Sequence, residues 1–207
     1  MKGNYVITIG RQLGSGGREI GQRLSAILGI SFFDKELISI ASRESGLNRE
    51  FFEKADEKKR FRLFGGVSGL RDLAAGEAMN YYLADETLFK IQSDVIRSLA
   101  GQKSCIFVGR CADYVLKDTG RRLSIFISAD LDDRIKRVAA IHNMTESKAK
   151  IHIEKTDRER ARYYNYFSGK EWGSAGSYHL CINSSVLGID KTADLIYRFA
   201  GMQFNLK

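Results

Sequence analysis

A glycine-rich stretch near the start of the sequence is the first group of residues that could do chemistry. It runs from Gly10 to Glu19 and reads Gly-Arg-Gln-Leu-Gly-Ser-Gly-Gly-Arg-Glu. Glycines let main-chain amides turn toward an anion, and the N-terminus of a following helix adds a favourable partial charge. These residue types at this spacing favour a phosphate-binding loop over an ordinary glycine-rich turn.

The flanking residues predict the elements that would hold this stretch. Val6-Ile7-Thr8-Ile9 is a short β-branched run typical of a strand. After the glycines, apolar residues recur at helical spacing and predict an amphipathic helix that ends near Gly29. A strand, a glycine loop and a helix in this order form the place where an α/β sheet binds phosphate.

The stretch departs from the phosphate-binding signature G-x-x-x-x-G-K-[ST], because it contains no lysine. If Arg18 takes the place of the lysine, Gln12 stands at the first glycine and Glu19 at the hydroxyl residue. Counting from Gly10 instead requires one inserted residue before Gly16. In the first alignment, Arg18 would supply the positive charge as a bidentate phosphate clamp.

The rest of the chain predicts a three-layer α/β fold of the P-loop NTPase type with a five-stranded, mostly parallel sheet. Short apolar runs indicate the remaining four strands, at residues 30–33, 104–109, 123–128 and 178–183. Helical patterns lie between and after these runs. We expect helices over about 70–100 with a break at Gly76, over 145–164, and over 189–199.

Composition narrows the class of protein. With 207 residues, 43% of them hydrophobic and 11% aromatic, the chain can bury one substantial core, so wholesale disorder is excluded. No apolar run is long enough for a membrane-spanning helix, and the first residues do not resemble a signal peptide, so we expect a cytoplasmic location without a membrane partner.

Cysteine content and charge give two further expectations. The three cysteines, Cys105, Cys111 and Cys181, have no C-x-x-C spacing, which predicts buried thiols rather than disulfides or a zinc site. The net charge of +8 suits a polyanionic partner, either a nucleotide, a nucleic acid or an anionic membrane. The oligomeric state is not predicted.

Three segments resemble the cytidylate kinase-like family of P-loop proteins. The first spans Ile7 to Ile38 and includes the glycine-rich stretch and Phe33-Asp34-Lys35-Glu36-Leu37-Ile38. The second, Phe107-Val108-Gly109-Arg110 with Asp113, is similar to the Gly-Arg-Asp segment after the third strand of cytidylate kinases, with two residues before the acid. The third, Thr156 to Arg162, resembles their arginine-rich lid.

The resemblance implies a single kinase-like domain over residues 1–207, with an acceptor-binding helical insertion over about 34–100 and a helical lid over about 145–170. It implies ATP and Mg²⁺ as cofactors, with metal ligands unassigned. The donor phosphates would lie against Gly14, Ser15, Gly16, Gly17, Arg18 and Glu19. The acceptor nucleotide would contact Asp34, Arg110 and Asp113, and catalysis would use Arg18, Arg158 and Arg162.

The function expected from this resemblance is transfer of the terminal phosphoryl group of ATP to CMP or dCMP. Arg158 and Arg162 lie four residues apart, so they share one helical face and could converge on phosphate oxygens. One alternative is a nucleotide-binding module that lost catalysis with its lysine. Another is a nucleic-acid-binding protein, suggested by the net charge and the basic segments at 58–62 and 134–137.

Structural roles compete with several of these assignments. The helix over 145–162 could be a solvated surface held by pairs such as Glu154 with Arg158. Asp34 could cap a helix, and Arg110 could pair with Asp113.

Overall fold

The computed structural model describes residues 3–34 and 74–206, with side chains from residue 86 onward in the second range. The chain divides into two compact units, Met1–Lys35 with Arg97–Lys207, and Glu36–Ile96. The first unit contains the sheet and the glycine-rich stretch. The helix that Asp34 could cap, a further helix that the sequence predicts over 49–57, and the basic segment at 58–62 lie outside the described residues.

Five parallel strands form one sheet, as the sequence predicts. They are β1 (Val6–Arg11), β2 (Ser31–Phe33), β3 (Cys105–Val108), β4 (Arg122–Ser128) and β5 (Leu180–Asn183). Their order across the sheet is β2-β3-β1-β4-β5, so β1 is central and pairs with both β3 and β4. The carboxyl end of β1 therefore opens between two neighbours, where open α/β sheets bind ligands.

Six helices lie among the described residues. They are α1 (Gly17–Leu28), α2 (Ala74–Gln102), α3 (Ala112–Val115), α4 (Leu131–His142), α5 (Glu146–Ser168) and α6 (Ser184–Phe204). The expected break at Gly76 is wrong, because α2 continues through it. The last helix is interrupted by a non-helical residue, Gly188, with φ 73°, and its part after Gly188 corresponds to the helix predicted from residue 189, while the turn from Ser184 was not predicted.

The main core lies between the sheet and the pair of helices α1 and α6. Alternate residues of the central strands, such as Ile7, Ile9 and Ile125, are fully buried there against Leu24 of α1 and Ile196 of α6. Burying each side chain of this size contributes about 1.5–3 kcal/mol relative to leaving it in water. This packing fixes α1 directly behind β1, which sets the position of the glycine-rich stretch between them.

A second, smaller cluster holds α4 and α5 together. Val138 of α4 packs against Ala149 and Ile153 of α5, all of them buried, and Leu13 from the glycine-rich stretch packs against the same cluster. The N-cap of α5 is Thr145, whose side chain accepts a hydrogen bond from the Lys148 amide at 3.4 Å. The α4–α5 pair is therefore attached to the stretch by apolar packing.

The cysteine prediction is correct in part. All three thiols are free, and Cys105 and Cys111 are buried, but Cys181 on the edge strand β5 is exposed. Burial raises the pKa of Cys105 to about 12, so its thiol stays protonated at neutral pH. Among the described residues, no helix is long and apolar enough to cross a bilayer.

Phe204 at the end of α6 offers a test of the main core. Its ring is 2% exposed and lies 4.8 Å from the Tyr5 ring, centroid to centroid. We expect Phe204→Ala to lower the free energy of unfolding by about 3–5 kcal/mol, because the cavity removes both transfer energy and packing. Urea denaturation would measure the change. Met202→Ala on the same helix, at a side chain 72% exposed, should change stability by less than about 0.5 kcal/mol, and equal losses would contradict this account of the core.

Candidate phosphate-binding site

The glycine loop, residues 12–16 between β1 and α1, turns through two glycines with left-handed backbone. Gly14 has φ 80° and Gly16, the N-cap of α1, has φ 76°. A Cβ on Gly14 would lie 2.8 Å from the Arg134 carbonyl oxygen, and one on Gly16 would lie 2.9 Å from Ile189 Cδ1. Both positions thus require glycine for conformation and for the close approach of α4 and α6.

The carbonyl oxygens of this loop are bonded to groups within the protein. The Gln12 carbonyl accepts from the Ser15 hydroxyl at 2.9 Å and, weakly, from the Ser15 amide at 3.4 Å. The Leu13 carbonyl accepts from Arg134 Nε of α4 at 2.8 Å. Arg134 is only 6% exposed, so this hydrogen bond forms largely out of contact with water.

The next two carbonyls are bonded in the same way by other helices. Arg137 Nη1 of α4 donates to the Gly14 carbonyl, and the Ser184 hydroxyl at the start of α6 donates to the Ser15 carbonyl at 2.7 Å. Four successive carbonyls are therefore turned toward the protein.

The amides at the start of α1 show the opposite pattern. Within the described part of the chain, no group accepts a hydrogen bond from the main-chain amides of Gly14, Gly16, Gly17, Arg18 and Glu19. Residues at the first turn of a helix have no intrahelical acceptor, and the Gly16 cap supplies no side-chain acceptor. A row of unbonded amides beside carbonyls that are already paired is the arrangement an anion requires.

Asp157 of α5 connects the loop to two arginines. Its Oδ1 accepts from the Leu13 amide at 2.8 Å, and its Oδ2 forms a hydrogen-bonded ion pair with Arg134 Nη2. Arg160 Nη1 lies 3.7 Å from Asp157 Oδ1 and donates to the Arg11 carbonyl at 3.1 Å. This carboxylate neutralises buried arginine charge while it fixes the loop backbone.

Arg18 and Asp34 form an ion pair between α1 and the end of β2. Arg18 Nε donates to Asp34 Oδ2 at 2.8 Å, where the Arg18 side chain is 62% exposed and that of Asp34 is 3% exposed. The exposed guanidinium is accessible to a ligand beside the unbonded amides. The helix that Asp34 was expected to cap lies outside the described residues.

Arg110 lies at the end of β3 with an unusual backbone, φ 58°. Its Cζ lies 5.7 Å from the centre of the Tyr163 ring, a cation–π distance. Its Nε is buried and has no hydrogen-bond partner among the described residues. The alternative structural role for Arg110, an ion pair with Asp113, is wrong, since the Asp113 carboxylate bonds to Tyr164 instead.

Asp113 belongs to a buried cluster with two tyrosines. Its Oδ2 accepts from the Tyr164 hydroxyl at 2.7 Å, and the Tyr164 ring stacks on Tyr178 with centroids 5.8 Å apart. Burial raises the pKa of the Asp113 carboxyl above its ordinary value, and the Tyr164 hydrogen bond partly opposes the rise. The structure therefore places Asp113 in a packing role, and its expected contact with an acceptor stays a prediction.

Arg158 and Arg162 share one face of α5, as their spacing predicts, but that face is exposed. At 3.6 residues per turn they lie about 100° and 140° around the helix from Asp157. In this segment Asp157 bonds to the loop, at Leu13, and Arg160 bonds to Arg11, the residue before the loop. The catalytic roles expected of Arg158 and Arg162 stay predictions, and the proposed Glu154–Arg158 pair is absent from this described helix.

The described residues do not form a preformed metal cage. No group of three or more metal-ligating side chains lies together among them. The Ser15 hydroxyl is bonded to the Gln12 carbonyl, and Glu19 is paired with Arg23 at 2.9 Å. Mg²⁺ in kinases is bound largely by nucleotide phosphates and water, so we assign no residue of this chain to the metal.

Several residues that build the site were not selected from the sequence. The sequence places Arg134 and Arg137 in a basic segment and Asp157 and Arg160 in the lid-like segment without giving any of them a role, and it gives no role to Ser184. Position could have indicated Ser184, which directly follows β5, and Arg134, which lies in the first turn of the helix after β4, but Asp157 and Arg160 lie in the middle of α5 and have no such signal. Which face each helix turns to the loop depends on tertiary packing, which the sequence pattern does not give.

Comparisons with known proteins bear on this geometry. The model of the cytidylate kinase-like family matches residues 6–186. An uncharacterized protein from Eubacterium ventriosum ATCC 27560 has a similar structure at 25% identity, with a TM-score of 0.72 over 95% of this chain and 98% of that chain. The search of curated proteins finds no match.

Shikimate kinases share the fold at lower identity. The enzyme from Acinetobacter baumannii, solved in complex with shikimate, is 13% identical, with a TM-score of 0.51 over 100% of this chain and 97% of that one. The enzyme from Bacteroides thetaiotaomicron is 10% identical, with a TM-score of 0.50 over 94% and 97%. At these identities the likeness concerns the fold, which is that of P-loop kinases.

Asp157 gives a direct test of how the loop is held. We expect Asp157→Ala to lower the free energy of unfolding by about 3–5 kcal/mol, because the nearly buried Arg134 loses its carboxylate. Glu159→Ala, at an exposed position of the same helix, should cost less than about 0.5 kcal/mol. Urea denaturation of the two variants measures the difference, and similar small losses would show that the ion pair does not anchor the loop.

Asp113 predicts a pH dependence of stability. Its folded-state pKa is raised, so its stabilising contribution is complete below the unfolded pKa of about 4 and is lost as the pH rises through the folded value. The free energy of unfolding of the wild type, minus that of Asp113→Asn, should therefore fall as the pH rises above about 4. Urea titrations of both proteins at a series of pH values above this point measure it. A constant or rising difference would refute the assignment.

Proposed function

The chain belongs to the cytidylate kinase-like family, and from this premise we propose that it transfers the terminal phosphoryl group of ATP to a nucleoside monophosphate, CMP or dCMP. The family description and the kinase-type P-loop fold support the reaction class. The choice of a cytidine nucleotide rests on the family resemblance. The proposal also keeps residues 34–100 as the acceptor-binding region and residues 145–170 as the arginine-bearing arm.

One observation carries the proposal: the loop carbonyls from Gln12 to Ser15 are bonded to the protein, while the amides at the start of α1 have no acceptor among residues 3–34 and 74–206. A loop whose carbonyls faced the ligand would repel phosphate. With the carbonyls turned away, the amides and the helix N-terminus present only positive partial charge. We infer that the donor phosphates lie against Gly14 to Glu19.

Arginine side chains around the loop suit phosphoryl transfer. The reaction asks the protein mainly to position two phosphate groups and to stabilise the charge on the transferred oxygens. Arg18 is exposed beside the amides and held by Asp34. Bound Mg²⁺ would add further positive charge at the donor phosphates.

Arg110 supports an anionic acceptor. Its side chain lies over the Tyr163 ring at the end of β3, the strand next to β1, and its buried Nε lacks a hydrogen-bond partner among the described residues. A buried unpaired donor is costly, and an acceptor phosphate would satisfy it. The acceptor would then meet the donor phosphates across the edge formed by β1 and β3.

A coupled assay of ADP release tests the reaction. Purified protein with ATP and Mg²⁺ would be assayed against CMP, dCMP, UMP, AMP and GMP, and ATP binding would be measured separately by calorimetry. We expect turnover with CMP or dCMP to exceed turnover with the purine nucleotides. ATP binding without acceptor-dependent turnover would contradict catalysis and favour a nucleotide-binding module that does not transfer phosphate.

A substitution of Arg18, compared with a control substitution, tests whether this side chain acts in the site. We expect Arg18→Ala to lower kcat/KM for the acceptor reaction by about tenfold to a hundredfold, because a charge-assisted hydrogen bond contributes about 1.5–3 kcal/mol. Arg198→Ala, at an exposed arginine on the far side of the core in α6, should leave kcat/KM within about twofold. Steady-state kinetics of both variants decide the point, and equal rates would remove Arg18 from the site.

A further inference from the structure

We propose that Arg11, and not Arg18, supplies the loop cation that the missing lysine would have supplied. This proposal rests on the proposed function, since it assigns a residue to binding of the donor phosphates. It also accounts for a glycine at the first position of α1, where the phosphate-binding signature has its lysine.

The start of the helix fixes the alignment that the sequence left open. In G-x-x-x-x-G-K-[ST], the lysine follows the last glycine. Here the last loop glycine is Gly16, the N-cap, and the first helical residue is Gly17. Gly17 therefore stands at the lysine position, and Arg11, five residues before Gly16, stands at the first glycine. Arg18 moves to the hydroxyl position.

Gly17 and Arg11 compete for one space. A Cβ built on Gly17 would lie 2.6 Å from Arg11 Cβ and 3.1 Å from Arg11 Cγ. Two carbon atoms do not approach this closely, so a side chain at one position excludes an unshifted side chain at the other. The signature has a glycine at its first position and a lysine after its last glycine. This chain has the reverse, with Arg11 at the first position and Gly17 in place of the lysine.

The Arg11 side chain continues from Gly17 toward the end of β3. A Cβ built on Gly109 would lie 3.0 Å from Arg11 Cζ, and Gly109 adopts φ 85°. The Gly109 amide donates to the Ile9 carbonyl at 3.0 Å, which keeps this glycine beside β1. The stem of the Arg11 side chain thus lies beside Gly17 at the start of α1, and its guanidinium lies beside Gly109 at the end of β3.

Two further contacts agree with this assignment. Arg160 donates to the Arg11 carbonyl at 3.1 Å, so the backbone that carries the cation is fixed by α5. Arg18 extends instead to Asp34, with most of its side chain exposed. A guanidinium that reaches from the donor loop to the acceptor strand can contact both phosphate groups, which suits its planar set of donors.

The test restores the glycine and the lysine of the signature at positions 11 and 17. Arg11→Gly, Gly17→Lys and the double variant Arg11→Gly/Gly17→Lys would be compared with wild type for ATP dissociation constant by calorimetry, with urea denaturation to confirm folding. Arg198→Ala serves as the control for loss of one positive charge. We expect Arg11→Gly to weaken ATP binding by about tenfold or more, and the double variant to recover most of that loss because lysine then occupies the space vacated by Arg11.

The Gly17→Lys variant should bind ATP more weakly than the double variant, since its lysine meets the Arg11 side chain. A folded Arg11→Gly protein with unchanged ATP affinity would overturn the proposal, as would a folded double variant no better than Arg11→Gly. These outcomes leave the proposed function intact if the wild type transfers phosphate to CMP. Conversely, ATP binding that depends on Arg11 without any acceptor turnover would refute the proposed reaction and support the assignment of the cation.

Discussion

The carboxylate of Asp157 is the interaction on which the site depends. It accepts the Leu13 amide and balances the charge of Arg134, which in turn holds the Leu13 carbonyl. A loop rich in glycine has many accessible conformations and loses much entropy when it is fixed. Hydrogen bonds to the main-chain amide and the main-chain carbonyl of Leu13 restrict the loop where it leaves β1. The amides that follow are then directed toward one side before any ligand arrives.

The fold could be predicted from the sequence because its signals are local. Strands buried on both faces of a parallel sheet read as short apolar runs, and the runs at 104–109 and 123–128 correspond to β3 and β4. The place of the glycine loop follows from the same order of elements. The prediction failed at Gly76, where a residue type that often breaks a helix continues one instead.

The site was predicted less completely, because which residues contact the loop depends on the face that each helix turns toward it and not only on residue type. Arg158, Arg160 and Arg162 have the same chemistry, yet of the three Arg160 is the one that bonds to the backbone next to the loop, at Arg11, since it shares the face of α5 that carries Asp157. The proposal that Arg11 is the loop cation depends on the residue at which α1 begins, Gly17. A shift of one residue changes which side chain aligns with a motif lysine, and boundaries of this kind are the weakest part of sequence-based assignment.

The packing of Leu13 into the cluster of Val138, Ala149 and Ile153 bears on how the molecule can move. A lid over an active site usually moves about a hinge while the rest of the site keeps its position. Here the hairpin made by α4 and α5 is attached to the glycine loop by the apolar packing of Leu13 and by the Asp157 carboxylate. A hinge motion of that hairpin would therefore have to move the donor loop with it or break these contacts together with the hydrogen bonds of Arg134 and Arg137 to the loop carbonyls.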